Sequence, residues 1–357
     1  MSENLPIDEL RLAIRDVLDD RFGETLDIPD DAGRGLDRAL WSEMAGLGWL
    51  ALPIAEDYGG LGLGLAHLAV LYEELGRHVA SVPALPAMLA AQAMAGSGRD
   101  ALKARWLPAI ASGNCLVALA LPDGRALPVL GADGNLSGLV EHVLFADVAD
   151  LLLIPVAEAD GGVAFAVLER RAAGVSVVPR PLVDLTRSMA DIRLEGTGVD
   201  ADAILRLDRE QWAALLDHAA IALACDGVGG ADALFARTVE YLTIREQFGR
   251  PIGSFQALKH RMADWKVKIE AVRMLVRQSA AMATGKDARA SEAASSAKAY
   301  ACDTYAAFAA DSIQLHGGVG FTWEHPCHLF LKRAKLSQQL FGSSRLHKER
   351  VAELAFR

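Results

Sequence analysis

Apolar positions step by three and four through the first part of the chain. Leu10, Ile14, Val17 and Leu18 recur at helical spacing, and Leu65, Leu68, Ala69, Tyr72 and Leu75 form another stripe that stops at Gly76. Between them, Pro53 and the pair Gly59-Gly60 punctuate a loop. From residue 114 to 205 the texture changes to short apolar runs at 116–121, 151–156, 163–168 and 175–178. Asp123-Gly124, Asp133-Gly134 and Asp160-Gly161-Gly162 separate them. Length and β-branched content predict strands, and short strands with Gly-rich turns predict a small sandwich or barrel. Beyond residue 206 the helical period returns. Phe255, Leu258, Met262, Trp265, Ile269, Val272 and Val276 make one buried stripe on a long helix, and the Ala-rich stretch 291–315 is a second strong helix former. The pattern predicts an α+β chain: an N-terminal α-helical domain over 1–113, a middle β domain over 114–205 and a C-terminal helical domain over 206–357. The last is long enough for an up-down four-helix bundle.

Composition narrows the function classes. Of 357 residues, 52% are hydrophobic, ample for more than one core. The net charge of −10 argues against nucleic-acid binding, which calls for a basic surface to neutralise phosphates. Lys259, His260, Arg261, Lys266 and Lys268 concentrate positive charge locally, and a solvated helix face explains them. No uninterrupted apolar stretch reaches about 18 residues, so no membrane span is expected. The first eleven residues carry no apolar signal-peptide core, which makes the cytoplasm the expected compartment. Cys115, Cys225, Cys302 and Cys327 are too widely spaced for a CxxC pair or a disulfide framework, and reduced thiols fit that compartment.

Two blocks could carry chemistry. The first is Arg245-Glu246-Gln247-Phe248-Gly249-Arg250-Pro251-Ile252, followed by Ser254-Phe255-Gln256. Gly249 and Pro251 read as the end of one helix and Ser254 as the cap of the next. Arg245 then sits in a last helical turn, either complementing the helix C-terminus or gripping a phosphate with its planar fork. The second block is Gln314-Leu315-His316-Gly317-Gly318-Val319-Gly320-Phe321-Thr322, where glycines let backbone approach a ligand closely. No Lys-Ser/Thr follows, so it is no P-loop. His325, Cys327 and His328 are metal-ligand types without a fourth partner nearby, and no metal site is expected. Asp184 and Arg187 read as a turn in the β zone.

Taken in order, these blocks resemble the acyl-CoA dehydrogenase family over most of the chain. Gly48-Trp49-Leu50, Tyr58-Gly59-Gly60 and Glu73-Glu74-Leu75-Gly76-Arg77 are similar to its N-terminal helical domain. The Arg245 block is similar to its flavin-binding helix junction, and residues 314–326 to its second flavin signature. The resemblance implies FAD bound between subunits of an oligomer. Arg245 would hold the pyrophosphate, Gln247, Phe248, Phe255 and Gln256 would line the same site, and Gln314, Gly317 and Gly318 would touch the nucleotide. It also implies the reaction: a carboxylate removes the proton α to an acyl-CoA thioester, and the β-hydrogen leaves as hydride to the flavin.

The base is where the chain departs from the family. In the stretch Leu340-Phe341-Gly342-Ser343-Ser344, Phe341 stands where many members have glutamate. The alternative position, on the helix leading to Arg245, falls on Ala219 and Ala220. Asp226 is the nearest carboxylate on roughly the same helix face and the only candidate base, though a polar residue near a helix surface or subunit contact explains it as well; Asp217 is the other neighbour. The flavin-contacting loop of the β domain is shortened to Ala120-Leu121-Pro122-Asp123-Gly124-Arg125-Ala126, with Pro122 as its remnant. Some bacterial members are α2β2 complexes in which one subunit type supplies the base, and the chain's ending resembles that group. Three readings follow: an active subunit using Asp226 or an unrecognised base, a non-catalytic partner completing the FAD and acyl-CoA sites of a homo- or hetero-oligomer, and a flavin-dependent oxidase or monooxygenase on the same fold.

Overall fold

A computed structural model describes residues 5–23, 35–131, 134–158 and 161–356. The first four residues, and Asp133 and Asp160 at the head of two expected turns, lie outside the described residues. In chain order the helices are α1 (Ile7–Phe22), α2 (Arg38–Gly46), α3 (Leu65–Arg77), α4 (Ala84–Gly96), α5 (Asp100–Ala111), α6 (Arg209–Ile244), α7 (Gln256–Thr284), α8 (Ala290–His316), α9 (Cys327–Gln339) and α10 (Ser344–Ala355). Between α5 and α6 run β1 (Val117–Leu119), β2 (Val129–Leu130), β3 (Asn135–Leu144), β4 (Leu151–Ala157), β5 (Val163–Glu169), β6 (Val175–Pro179), β7 (Met189–Gly198) and β8 (Ile204–Leu205). Two further strands, β9 (Glu246–Gln247) and β10 (Arg250–Pro251), join α6 to α7. The α+β class and the helix–strand–helix order are those the sequence pattern predicts.

The described chain divides into two compact units. The first is drawn from Pro29–Gly64 and Ser81–Leu216. Its strands form one mixed eight-stranded sheet in the order β6-β7-β3-β2-β4-β5-β8, with β1 pairing parallel to β4. β4 runs antiparallel to β5 in unbroken register from Leu151↔Glu169 to Ala157↔Val163. Leu152, Ile154 and Val156 of β4, Ala164, Ala166 and Leu168 of β5, and Ala190, Ile192 and Leu194 of β7 join one apolar cluster. These are alternate residues, so one face of the sheet encloses a shared core, as a sandwich or barrel requires. The other face of β4 and β5 is also buried, which explains why β4 reads as a continuous apolar run. There Phe165 stacks on Trp212, ring centroids 4.8 Å apart. α4 is apolar all round and packs against β1.

The second unit is drawn from Leu5–Ile28, Leu65–Ala80 and Asp217–Arg357. α6 passes between α3 and α8 at backbone contact. A Cβ on Gly229 would be driven into the Glu73 carbonyl of α3, and one on Gly230 into the Tyr305 ring of α8. α7 buries Met262, Ile269, Val272 and Val276 of the expected stripe. Met262 and Ile269 join Leu234, Tyr305, Phe308 and Phe330 in the unit's core. Buried acids on α3 are paired. Glu74 accepts from Arg11 at 2.9 Å and from Arg15 at 2.8 Å, while Glu73 pairs with Arg11 and Arg273. α6 is the one helix among the described residues long and apolar enough to cross a membrane, but 83% of its apolar window is buried, as in a core helix.

Candidate functional site

The Arg245 block is a hairpin where the sequence suggested a helix end. α6 stops at Ile244, and β9 pairs with β10 through Gln247↔Arg250 and Glu246↔Pro251. The tip, Phe248-Gly249, has φ of 54° and 75°. Two successive left-handed residues are what a tight two-residue hairpin turn requires, and a phenylalanine held there is strained. Phe248 is 90% exposed. Its ring meets Phe255 edge-on at 6.1 Å, while the Arg250 guanidinium lies 4.1 Å over the Phe255 ring. The Arg245 amide still donates to the Tyr241 carbonyl at 2.9 Å, so Arg245 continues the helix by one hydrogen bond. Its side chain is exposed, and among the described residues nothing pairs with its guanidinium. Ser254 does not cap α7. A short 3-10 turn over Ile252–Ser254 moves the N-cap to Phe255 and leaves the Ser254 hydroxyl buried without a partner.

The second block follows the end of α8. Gly317, with φ of 64°, breaks the helix, and a 3-10 turn over Gly317–Phe321 leads toward α9. Gln314, Gly317 and Gly318 are exposed. A Cβ on Gly318 would meet nothing within 4 Å, and Gly318 has no left-handed φ. Nothing among the described residues therefore demands glycine at this position, whereas a group approaching the backbone from outside would. Tyr241 brings the two blocks together: its hydroxyl donates to the His316 carbonyl at 3.1 Å and its ring stacks on His316 at 4.4 Å. Around them Ile244, Phe248, Phe321 and Trp323 are exposed apolar side chains.

The positions where a base is expected hold none. Ala219 and Ala220 are fully buried in α6. Phe341 is half-buried in a turn where Phe341 and Gly342 both have positive φ, 53° and 104°. The turn is pinned from behind. Lys298 of α8, fully buried, donates to the Gln338 carbonyl at 3.1 Å and to the Gly342 carbonyl, and His347 Nε2 donates to the Phe341 carbonyl at 3.1 Å. Burial holds the Lys298 ammonium below the usual lysine range and pushes His347 down to about 4. Asp226 is buried, with Arg333 Nε 3.1 and 3.2 Å from its two oxygens and Arg333 Nη2 on the first. Asp217 accepts from Arg350 at 2.8 Å and from Ser291. From Pro122 to Ala126 the shortened loop of the β unit is exposed, and its Arg125 is held by Asp123 at 2.6 Å.

Sequence reasoning missed Tyr241, Lys298 and Arg333. Each acts through a residue far away in the chain, and none belongs to a local motif. It also missed the partner set of Cys327: the ligand atoms of His316, His325 and Cys327 lie within 4.8 Å of one another, so the cluster draws on His316 of the glycine block.

Residues 7–114 match the family model described as acyl-CoA dehydrogenase, N-terminal domain, and residues 210–356 that of the acyl-CoA dehydrogenase, C-terminal domain. A Mycobacterium tuberculosis protein named acyl-CoA dehydrogenase IpdE2 is 36% identical over 316 residues, 87% of this chain and 85% of that protein. Among solved structures, a chain of the ChsE4-ChsE5 complex from Mycobacterium tuberculosis superposes with a TM-score of 0.89 at 26% identity, over 99% of this chain and 98% of that one. A chain of the Tcur3481-Tcur3483 steroid ACAD gives 0.85 at 30% identity, over 98% of this chain and 97% of that one.

Proposed function

This chain belongs to the acyl-CoA dehydrogenase family, oxidoreductases that act on the CH–CH bond of an acyl-CoA, and from that premise we propose that it is the partner subunit of a heteromer, completing the FAD and acyl-CoA sites of a second, glutamate-bearing chain. The observation that carries this reading is the missing base. Phe341, Ala219 and Ala220 cannot take a proton, and both oxygens of Asp226 are engaged by Arg333. The exposed apolar surface around the two blocks supports a covering partner, and an α2β2 assembly is the form we infer. The likeness to chains of two-component complexes, one titled a steroid ACAD, supports the same assembly and a place in lipid or steroid catabolism. A cytoplasmic compartment is part of this reading.

Residues of the two blocks fit FAD. Arg245 offers an exposed, unpaired guanidinium suited to a bidentate grip on the pyrophosphate. Gln247, Phe248, Phe255 and Gln256 would line the same site. Gln314, Gly317 and Gly318 would meet the nucleotide, the bare backbone of Gly318 giving the close approach. When bound, the flavin supplies the acceptor for the substrate's β-hydride. The work of this chain is to hold the nucleotide, aim it and exclude water. The test is co-expression with a second family member that has its glutamate. Flavin-coloured, dye-linked activity that appears only in the complex supports the reading, and full activity in the isolated chain sinks it.

A further inference from the structure

Polar side chains cross the seam between α6 and α8, where the surroundings are apolar. Leu234 and Leu242 of α6 and Phe308, Ala309 and Ile313 of α8 belong to one core. Among them the hydroxyls of Thr238 and Ser312, both fully buried, stand 2.8 Å apart. Thr238 already donates to the Leu234 carbonyl at 2.7 Å, so it is Ser312 that donates across the seam. One turn on, the Tyr241 hydroxyl donates to the His316 carbonyl at 3.1 Å, while the Tyr241 carbonyl accepts the Arg245 amide at 2.9 Å. The His316 ring is itself held, since its Nδ1 donates to the Ser312 carbonyl at 2.8 Å. The same stretch of α8 ties in α7: Asp311 accepts from Trp265 Nε1 and from Arg261 Nε, each at 2.7 Å.

Bonds such as the Thr238–Ser312 rung add little net stability, because each replaces a bond to water. What they add is position. Apolar contact is non-directional and tolerates sliding, whereas a hydrogen bond weakens steeply outside a narrow range of distance and angle. A buried polar pair therefore fixes the register of two helices. The helices fixed here carry the two blocks: α6 leads into Arg245, α7 begins at Gln256, and α8 ends beside Gly317 and Gly318. A slip of one residue along α6 would move Arg245 by about 1.5 Å relative to Gly318. A charge-assisted hydrogen bond spans only about 2.7–2.9 Å, so such a slip breaks it.

We propose that Thr238, Tyr241 and Ser312 are positioning residues for the flavin. They act through the register of α6 on α8, and so set the distance between the Arg245 grip on the pyrophosphate and the glycine turn that meets the nucleotide. The proposal rests on the two blocks holding FAD. A ligand gripped at two points stays bound only while the points match its own span, so a loosened register costs affinity without removing either grip.

The test needs no turnover. The flavin-loaded complex of this chain with a glutamate-bearing family chain is diluted, and the rise of free-flavin fluorescence gives the rate of FAD release beside the denaturation midpoint. Thr238→Val with Ser312→Ala removes both ends of the rung and strands no hydroxyl, so the midpoint should hold or rise. Release should nonetheless quicken about fivefold, the worth of one neutral hydrogen bond. Tyr241→Phe keeps a ring against His316 and loses only the hydroxyl bond. It should quicken release by a similar factor, and it reports even if the double variant folds poorly. In an Arg245→Ala background one grip is gone and register no longer matters, so neither change should quicken release further. A merely structural role would instead lower the midpoint and add to the effect of Arg245→Ala, and either result overturns the proposal. Unchanged release in both variants, with Arg245→Ala still quickening it, would overturn the proposal and leave the flavin site standing. Unchanged release in Arg245→Ala would remove the site and the proposal with it.

Discussion

A carboxylate acts as a base only while its lone pairs are free, and the Asp226 oxygens are not. Arg333 Nε lies 3.1 and 3.2 Å from them, and the same arginine reaches the Ala80 carbonyl at 3.0 Å. Sequence places Asp226 on the right helix face but cannot reveal a partner 107 residues away. Asp226→Asn should therefore act on folding. It strands a buried cation, which typically costs about 3–5 kcal/mol. The expected result is a large drop in the denaturation midpoint, whereas an unchanged midpoint with turnover lost would make Asp226 the base after all. Arg245 is the opposite case, exposed and unpaired, so Arg245→Ala should leave stability alone. A hydrogen bond to a charged group is worth about 1.5–3 kcal/mol, so FAD retention should fall tenfold or more. Flavin content equal to that of the parent complex would remove Arg245 from the site.

Elements long enough to show a period were legible. The α7 stripe from Met262 to Val276 is buried as its three-and-four spacing predicts, and the apolar run of β4 is a strand buried on both faces. The hairpin of β9 and β10 was not legible. Two-residue strands carry no period, and the turn depends on Phe248 adopting a left-handed φ that its residue type disfavours. Ser254 fails as a cap for a related reason: a single 3-10 turn shifts the helix start by one residue. Glycines in helices tell a further story. Gly229 and Gly230 are poor helix formers by propensity, yet α6 needs them to pass α3 and α8 at backbone distance. Gly229→Ala improves local propensity and still should destabilise, because the added methyl meets the Glu73 carbonyl and backbone cannot move aside. Overpacking of this kind costs about 1–3 kcal/mol. A raised melting temperature in Gly229→Ala would show that the helices can separate without loss.

The second compact unit takes in α1 and α3, which precede the β zone, together with the helices that follow it. Texture along a sequence marks where strands give way to helices but not which helices share a core, because that rests on contacts between distant residues: Leu234 packs with Phe330, and Glu73 pairs with Arg273, 200 residues away. The same limit applies one level up, where the partner we propose lies outside the chain altogether. What the sequence does record is a negative: Phe341 and Ala219 stand where a carboxylate must be. Removing a proton α to a thioester needs a base within about 2.6–3.2 Å of it, or one water away. Lys298 and His347 fix the Phe341 turn by its carbonyls, so a neighbouring acid cannot readily swing in to replace the missing group. The isolated chain should therefore reduce an artificial dye with straight-chain or steroid CoA esters at negligible rates. Adding a glutamate-bearing family chain should restore turnover, and replacing that glutamate with glutamine should abolish it without splitting the complex. Phe341→Glu in this chain gives a sharper version. If the base is all that the chain lacks, the substitution should confer measurable turnover on the chain alone, provided flavin is retained. Turnover by the unmodified chain that persists in Asp226→Asn would mean that a base lies elsewhere in this chain, and the partner-subunit reading would fall.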